Sequence, residues 1–137
     1  RVVVIEDATV EGAAPRDWAM RAVALYRRLE ADKIVAEVNQ GGEMVAAVIR
    51  TVDPAAPVKP VRATRGKWMR AEPVAALYQQ GRVVHAGRFP ALEDEMCDFG
   101  TDGLSGGRSP DRVDALVWAV TVLTGADAAE PRVRGLG

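Results

Sequence analysis

The chain has 137 residues, of which 48% are apolar and 27% charged, with a formal net charge of -1. That is enough for one compact domain with a real core, the composition is ordinary for a soluble globular protein, and the charge shows no global drive toward nucleic acid. No apolar run reaches the roughly 18 residues a membrane span needs, and one cysteine with one histidine excludes disulfide frameworks and ordinary zinc sites. Oxygen-rich sites for magnesium, manganese or calcium remain open.

Arg1 to Glu6 reads as a strand already under way, as if the chain were part of something longer. Pro15 opens a helix where a missing N–H costs little, and Trp18, Ala22, Leu25, Tyr26 and Leu29 give it an apolar face. Lys33 to Val38 is a buried parallel strand by pattern, ended by Gly41-Gly42. Glu43 to Val52 is predicted helical, Asp53 to Pro57 a loop and Val58 to Ala63 a strand. Lys67 to Gln80 is predicted helical, with Pro73 either in its first turns or kinking it, and Gly81 as its stop. Arg82 to His85 is a strand, Pro90 to Phe99 a short helix, and Gly100 to Gly107 a glycine-rich mobile loop. Pro110 to Leu123 is the last predicted helix, and the segment after Gly125 carries no periodic pattern. Alternating strands and helices make the fold α/β with a largely parallel sheet, whose working groups should gather beyond the carboxyl ends of the strands.

Two acidic motifs stand out. Glu37 closes the apolar strand in Val35-Ala36-Glu37-Val38-Asn39-Gln40-Gly41-Gly42. Asp111 and Asp114 open the last helix in Ser109-Pro110-Asp111-Arg112-Val113-Asp114-Ala115-Leu116, three apart and so on one face. Convergence of the three would make a magnesium or manganese site, because unpaired carboxylates in apolar company need cations. Each has a plainer reading as well: an arginine ion pair for Glu37, and helix-start electrostatics for Asp111. Asp114, deeper and followed by Ala115 to Trp118, is harder to assign that way. Asn39 and Gln40 either orient a substrate or cap the next helix.

Clustered carboxylates without histidine suit two-metal phosphodiester hydrolysis, with the ions roughly 4 Å apart. A basic run carrying Lys59, Arg62, Arg65, Lys67 and Arg70, with no acid among them, is a candidate phosphate surface or simply a solvated basic face. Gly66 would allow close approach in Arg62 to Lys67. His85, Met96, Cys97, Trp18, Trp68 and Trp118 read first as packing residues, with Trp68 placed where it could also touch a base.

Further segments make these motifs a series. Trp18-Ala19, Ala22-Val23, Leu25-Tyr26, Ala31-Asp32 and Met44-Val45 flank the Glu37 motif. Arg65-Gly66-Lys67, Arg70-Ala71-Glu72-Pro73-Val74, Ala76-Leu77-Tyr78, Gly81-Arg82-Val83 and Leu92-Glu93-Asp94-Glu95-Met96 follow in order, and Ser109 to Ala119 completes it. From about Ile5 to Leu123 the chain resembles the nuclease domain of phage terminase large subunits. The resemblance implies a ribonuclease-H-like mixed or parallel sheet flanked by helices, over residues 1–124, with 125–137 a tail. It implies a magnesium- or manganese-dependent endonuclease that cuts concatemeric double-stranded DNA during packaging in the host cytoplasm. Glu37 matches the family's acid on the central strand, and Asp111 with Asp114 the acids opening the last helix. Arg65, Lys67 and Arg70 would steer DNA phosphate. Implied partners are the terminase ATPase domain, which has no Walker motif here, the portal protein and the small terminase subunit. No membrane partner is implied. The runner-up is a non-cleaving ribonuclease-H-like module that docks DNA or portal; a recombinase or junction resolvase of the same fold class is a weaker third.

One departure matters. The family's first essential aspartate lies on an opening strand ahead of the one beginning at Arg1, no residue here matches it, and Asp7 is no substitute by position. The resemblance thus implies a domain without its first strand and one metal ligand, cutting weakly or not at all by itself, with an exposed sheet edge.

Overall fold

A computed structural model describes residues 1–38 and 44–125. Within them the elements run β1 (Val2–Val4), α1 (Pro15–Arg28), β2 (Ile34–Glu37), α2 (Met44–Val52), β3 (Val58–Val61), α3 (Lys67–Gln79), β4 (Val83–His85), α4 (Pro90–Asp98) and α5 (Asp111–Thr124). The expected α/β alternation is present. The motif residues Asn39 to Gly42, the first residue of the predicted Glu43–Val52 helix and the segment from Ala126 onward lie outside the described residues.

All four strands pair in parallel, two by two: β1 with β4 and β2 with β3. The elements fall into two compact units, Arg1–Asp7 with Arg65–Gly137, and Ala8–Thr64. The 8–64 unit packs α1 on α2 beside the β2–β3 pair, around Ala19, Val23, Ile49 and Ala56. The other unit buries Val74, Val83, Val113, Val117 and Val120, with Val2 and Val4 packed against them. The three valines of α5 recur at four and three residues, the apolar stripe that turns this helix inward.

Helix ends explain most boundaries. Pro15 is the first residue of α1, as its fixed φ favours. The C-termini of α1 and α3 close in the same way: the amide after the left-handed residue reaches back to the third carbonyl from the end, Ala31 to Tyr26 and Arg82 to Leu77. Gly81 fills the left-handed position of α3 at φ 71°, whereas α1 uses Glu30 at φ 52°. Pro73 lies inside α3, the seventh residue of the helix, so it does not belong to the first turn.

Two expectations are corrected. The glycine-rich stretch 100–107 is pinned rather than loose: Gly100 and Gly103 exchange backbone hydrogen bonds, and Leu104 is buried. Asp98 holds its far end by accepting from the Ser105 amide at 2.9 Å and from the Ser105 hydroxyl. Cys97 is exposed rather than packed, while Met96 packs as expected.

Candidate functional site

The first turn of α5 carries both aspartates, in different environments. Pro110 precedes the helix, and the Asp114 amide makes the first helical bond to its carbonyl at 2.9 Å. Asp111 is exposed and accepts from the Ser109 hydroxyl at 2.6 Å. Asp114, one turn deeper, is buried. Its Oδ1 accepts from Arg70 Nη2 at 2.5 Å, and its Oδ2 lies 3.5 Å from Lys67 Nζ. Lys67 also donates to Ser109 Oγ at 3.2 Å, so one ammonium ties the two acidic positions together.

Arg70 is as buried as the acid it meets, with side-chain exposures of 9% and 10%. Its other terminal nitrogen donates to the Arg65 carbonyl at 2.5 Å, and the guanidinium stands 5.1 Å from the Trp118 ring centre. Such a stacked, forked group suits a fixed internal ion pair. Its Nε is buried and has no hydrogen-bond partner among the described residues. Of the three predicted phosphate contacts, Arg65 is exposed, Lys67 is partly exposed at 39% of its side chain, and Arg70 faces inward.

A residue the sequence reading passed over organises this helix start. Glu95 of α4 is 5% exposed, and its carboxylate accepts from the Val113 amide at 2.7 Å. It therefore satisfies one of the first-turn N–H groups of α5 from a neighbouring helix, where the helix dipole favours negative charge. Arg112 lies 3.8 Å from the same carboxylate and donates to Asp7 at 3.1 Å, which gives Asp7 a structural partner. The only advance signal for Glu95 was an acid in a helix too short to leave every polar residue outside.

His85 closes β4 as an ordered packing histidine. Its Nδ1 is 2.8 Å from Glu93 Oε2 and its Nε2 2.7 Å from the Tyr78 hydroxyl. Both ring nitrogens are thereby engaged, Nδ1 by the Glu93 carboxylate and Nε2 by the Tyr78 hydroxyl. The His85 hydrogen bond, then the Phe89 amide, hold the Glu93 carboxyl below its ordinary range. Burial, then the Glu93 charge, push the Tyr78 phenol up to about 12.

Glu37 is the last residue of β2 in the 8–64 unit and follows the apolar Ile34, Val35 and Ala36, but it is exposed rather than desolvated by that company, because a strand end turns alternate side chains outward. Trp68 tilts onto Phe99 at 5.5 Å between centroids. An apolar hollow of about 230 Å³ lies between α3, α4 and α5, walled by Trp68, Ala71, Val74, Tyr78 and Phe99 among others, and none of the predicted acids or cations lines it.

The donor type suits magnesium or manganese, but the arrangement does not fit such an ion as it stands. Asp114 is already matched by two cations, one Asp111 oxygen is held by Ser109, and among the described residues no three of His, Cys, Asp and Glu are grouped as a metal cage. No helix among the described residues is long and apolar enough to cross a membrane.

Compared with known families, residues 1–122 match the family described as the terminase RNaseH-like domain. No curated protein and no solved structure matches.

Proposed function

The chain belongs to the terminase RNaseH-like domain family, and from that premise we propose that it is the endonuclease domain of a DNA-packaging terminase large subunit. Its substrate is concatemeric double-stranded DNA, and its work is phosphodiester hydrolysis in the host cytoplasm. Glu37, Asp111 and Asp114 are the proposed catalytic and metal-binding acids, Arg65 and Lys67 the proposed phosphate contacts, and Arg70 the cation nearest Asp114. The ATPase domain, the portal protein and the small terminase subunit are the proposed partners.

The observation that carries this reading is the head of α5. Two aspartates stand there beside Lys67 and Ser109, with Arg65 exposed nearby in sequence. A phosphate could meet cations there without crossing an acid-only surface. The proposed cofactor is Mg2+ or Mn2+, which would supply an activated water and charge stabilisation. Since the described acids do not close a cage, no step is derived through it.

A second reading keeps the fold and drops the cutting: a module that docks DNA or portal. The observation favouring it is the saturation of Asp114 by Arg70 and Lys67. Plasmid cleavage in Mn2+ separates the two. An N-terminally longer form of the chain should nick supercoiled plasmid and lose that activity in Glu37→Ala. A docking module would bind DNA equally well in both forms and cut in neither.

A further inference from the structure

The mismatch between the head of α5 and a metal cage has a structural source: the chain places its own cations there. The two oxygens of Asp114 are divided between partners of unlike kind. Oδ1 meets Arg70, a buried side chain that is further tied to the Arg65 carbonyl and stands 5.1 Å from the Trp118 ring centre. Oδ2 faces Lys67 Nζ at 3.5 Å, on a partly exposed side chain that leaves the first residue of α3. Arg70 is built in, whereas Lys67 is held loosely.

Lys67 Nζ also donates to Ser109 Oγ at 3.2 Å, and the Ser109 hydroxyl donates to Asp111 Oδ1 at 2.6 Å. One ammonium thus serves both acidic positions of the turn, and all of these residues lie within one compact unit. Both atoms it meets are oxygens, the donor type that hard divalent ions take. A lysine ammonium is a compact point charge on a flexible stem, and a partly exposed ion pair stabilises little. A second cation at the same carboxylate oxygen would meet the ammonium as a like charge. Occupancy of Oδ2 is therefore a choice between the two.

We propose that Lys67 is a displaceable internal cation that holds the head of α5 closed to divalent metal. Its ammonium and an incoming Mg2+ or Mn2+ compete for Asp114 Oδ2, while Arg70 stays on Oδ1. Once displaced, the ammonium is free to meet a DNA phosphate, so that one side chain couples the two occupancies. The inference rests on the metal-dependent reading above and adds to it the contact that keeps the acids shut.

The test is done without DNA, so that it is independent of cleavage. Mn2+ is titrated onto the chain, with bound ion followed by electron paramagnetic resonance and its position by NMR broadening of the Asp111 to Asp114 amides. Lys67→Met, unbranched and uncharged, should bind Mn2+ about two- to fivefold more tightly than wild type, the weight of a partly exposed ion pair. Lys67→Arg keeps the charge and should show no gain. Arg65→Ala removes an exposed charge just ahead of α3 and measures the general effect of lost positive charge. In wild type, Mg2+ should move the Lys67 side-chain NMR signals toward those of an unpaired lysine. The proposal is overturned if Lys67→Met gains no more than Arg65→Ala, or if the Lys67 signals stay put at saturating Mg2+. Absence of Mn2+ broadening at the α5 head in every form would overturn it as well. Plasmid cutting by the longer form, with Mn2+ affinity indifferent to Lys67, would refute the exchange and keep the nuclease reading. Tighter Mn2+ binding by Lys67→Met with no plasmid cutting would do the reverse.

Discussion

Arg70 of α3 and Asp114 of α5 meet at 2.5 Å, and both side chains are about nine-tenths buried. The pair joins α3 to α5 alongside the longer Lys67–Asp114 contact, and it fixes the depth of the second aspartate at the head of α5. Removing Arg70 leaves the buried Asp114 with only the longer contact to the partly exposed Lys67. Arg70→Ala should therefore cost about 3–5 kcal/mol of stability, the range for breaking a buried pair from one side. Urea denaturation of wild type and variant checks this. Arg70→Lys should recover only part of the loss, because an ammonium cannot reach Asp114 and the Arg65 carbonyl while stacking near Trp118.

Glu95 carries a similar weight for a different reason. Its buried carboxylate satisfies the Val113 amide at the start of α5. Glu95→Ala should destabilise by about 2–3 kcal/mol, as expected for a charged hydrogen bond whose backbone donor is left buried. Glu95→Gln, which keeps an acceptor, should cost less. Amide exchange of the α5 first turn would locate the effect: faster exchange at Val113 is expected, and uniform exchange would speak against the capping role.

Glu30 offers a gain. It holds the left-handed position that closes α1, where Gly81 does the same for α3. A side chain at positive φ is strained by about 1 kcal/mol, partly offset by the extra unfolded-state freedom of glycine. Glu30→Gly should raise stability by up to about 1 kcal/mol, seen as a higher melting temperature. Glu30→Val should lower it.

The pH dependence follows from the direction of each shift. Glu93, Asp98 and Asp53 have folded-state carboxyls held below their ordinary range, by the His85 hydrogen bond, the Ser105 hydroxyl and the Ala55 amide respectively. Their contribution is present above the ordinary carboxylate range, near pH 4, and is lost as pH falls through the lowered values. Tyr78 runs the opposite way, its phenol raised to about 12. Its contribution is full below about pH 10 and disappears as pH rises through about 12. Tyr78→Phe should flatten the alkaline limb of the stability profile and leave the acid limb in place.

Much of this architecture is written locally, and the elements show why. α1 and α5 carry long apolar stripes with proline at or just before their starts, and α3 ends at a glycine in the left-handed region, so each declares its own limits. β2 is apolar up to Glu37, which fixes where the acid emerges. The roles of Arg70 and Glu95 were not legible in the same way. Both are ordinary charged residues whose meaning depends on which helix packs beside them, and the partners lie 44 and 18 residues away. A basic run in sequence suggests one surface, yet α3 turns Arg70 inward while leaving Arg65 exposed. Spacing assigns a face to a residue, but only tertiary packing decides whether that face meets water or another charge.

The central claim is that the acids of this domain serve DNA cleavage, and plasmid cutting in Mn2+ tests it most directly. An N-terminally longer form of the chain is assayed beside its Glu37→Ala variant, with duplex binding measured on both. Cutting by the extended form, abolished by Glu37→Ala with binding retained, is the expected result. Equal duplex binding with no cutting by either form would contradict the nuclease reading and leave the docking module in its place.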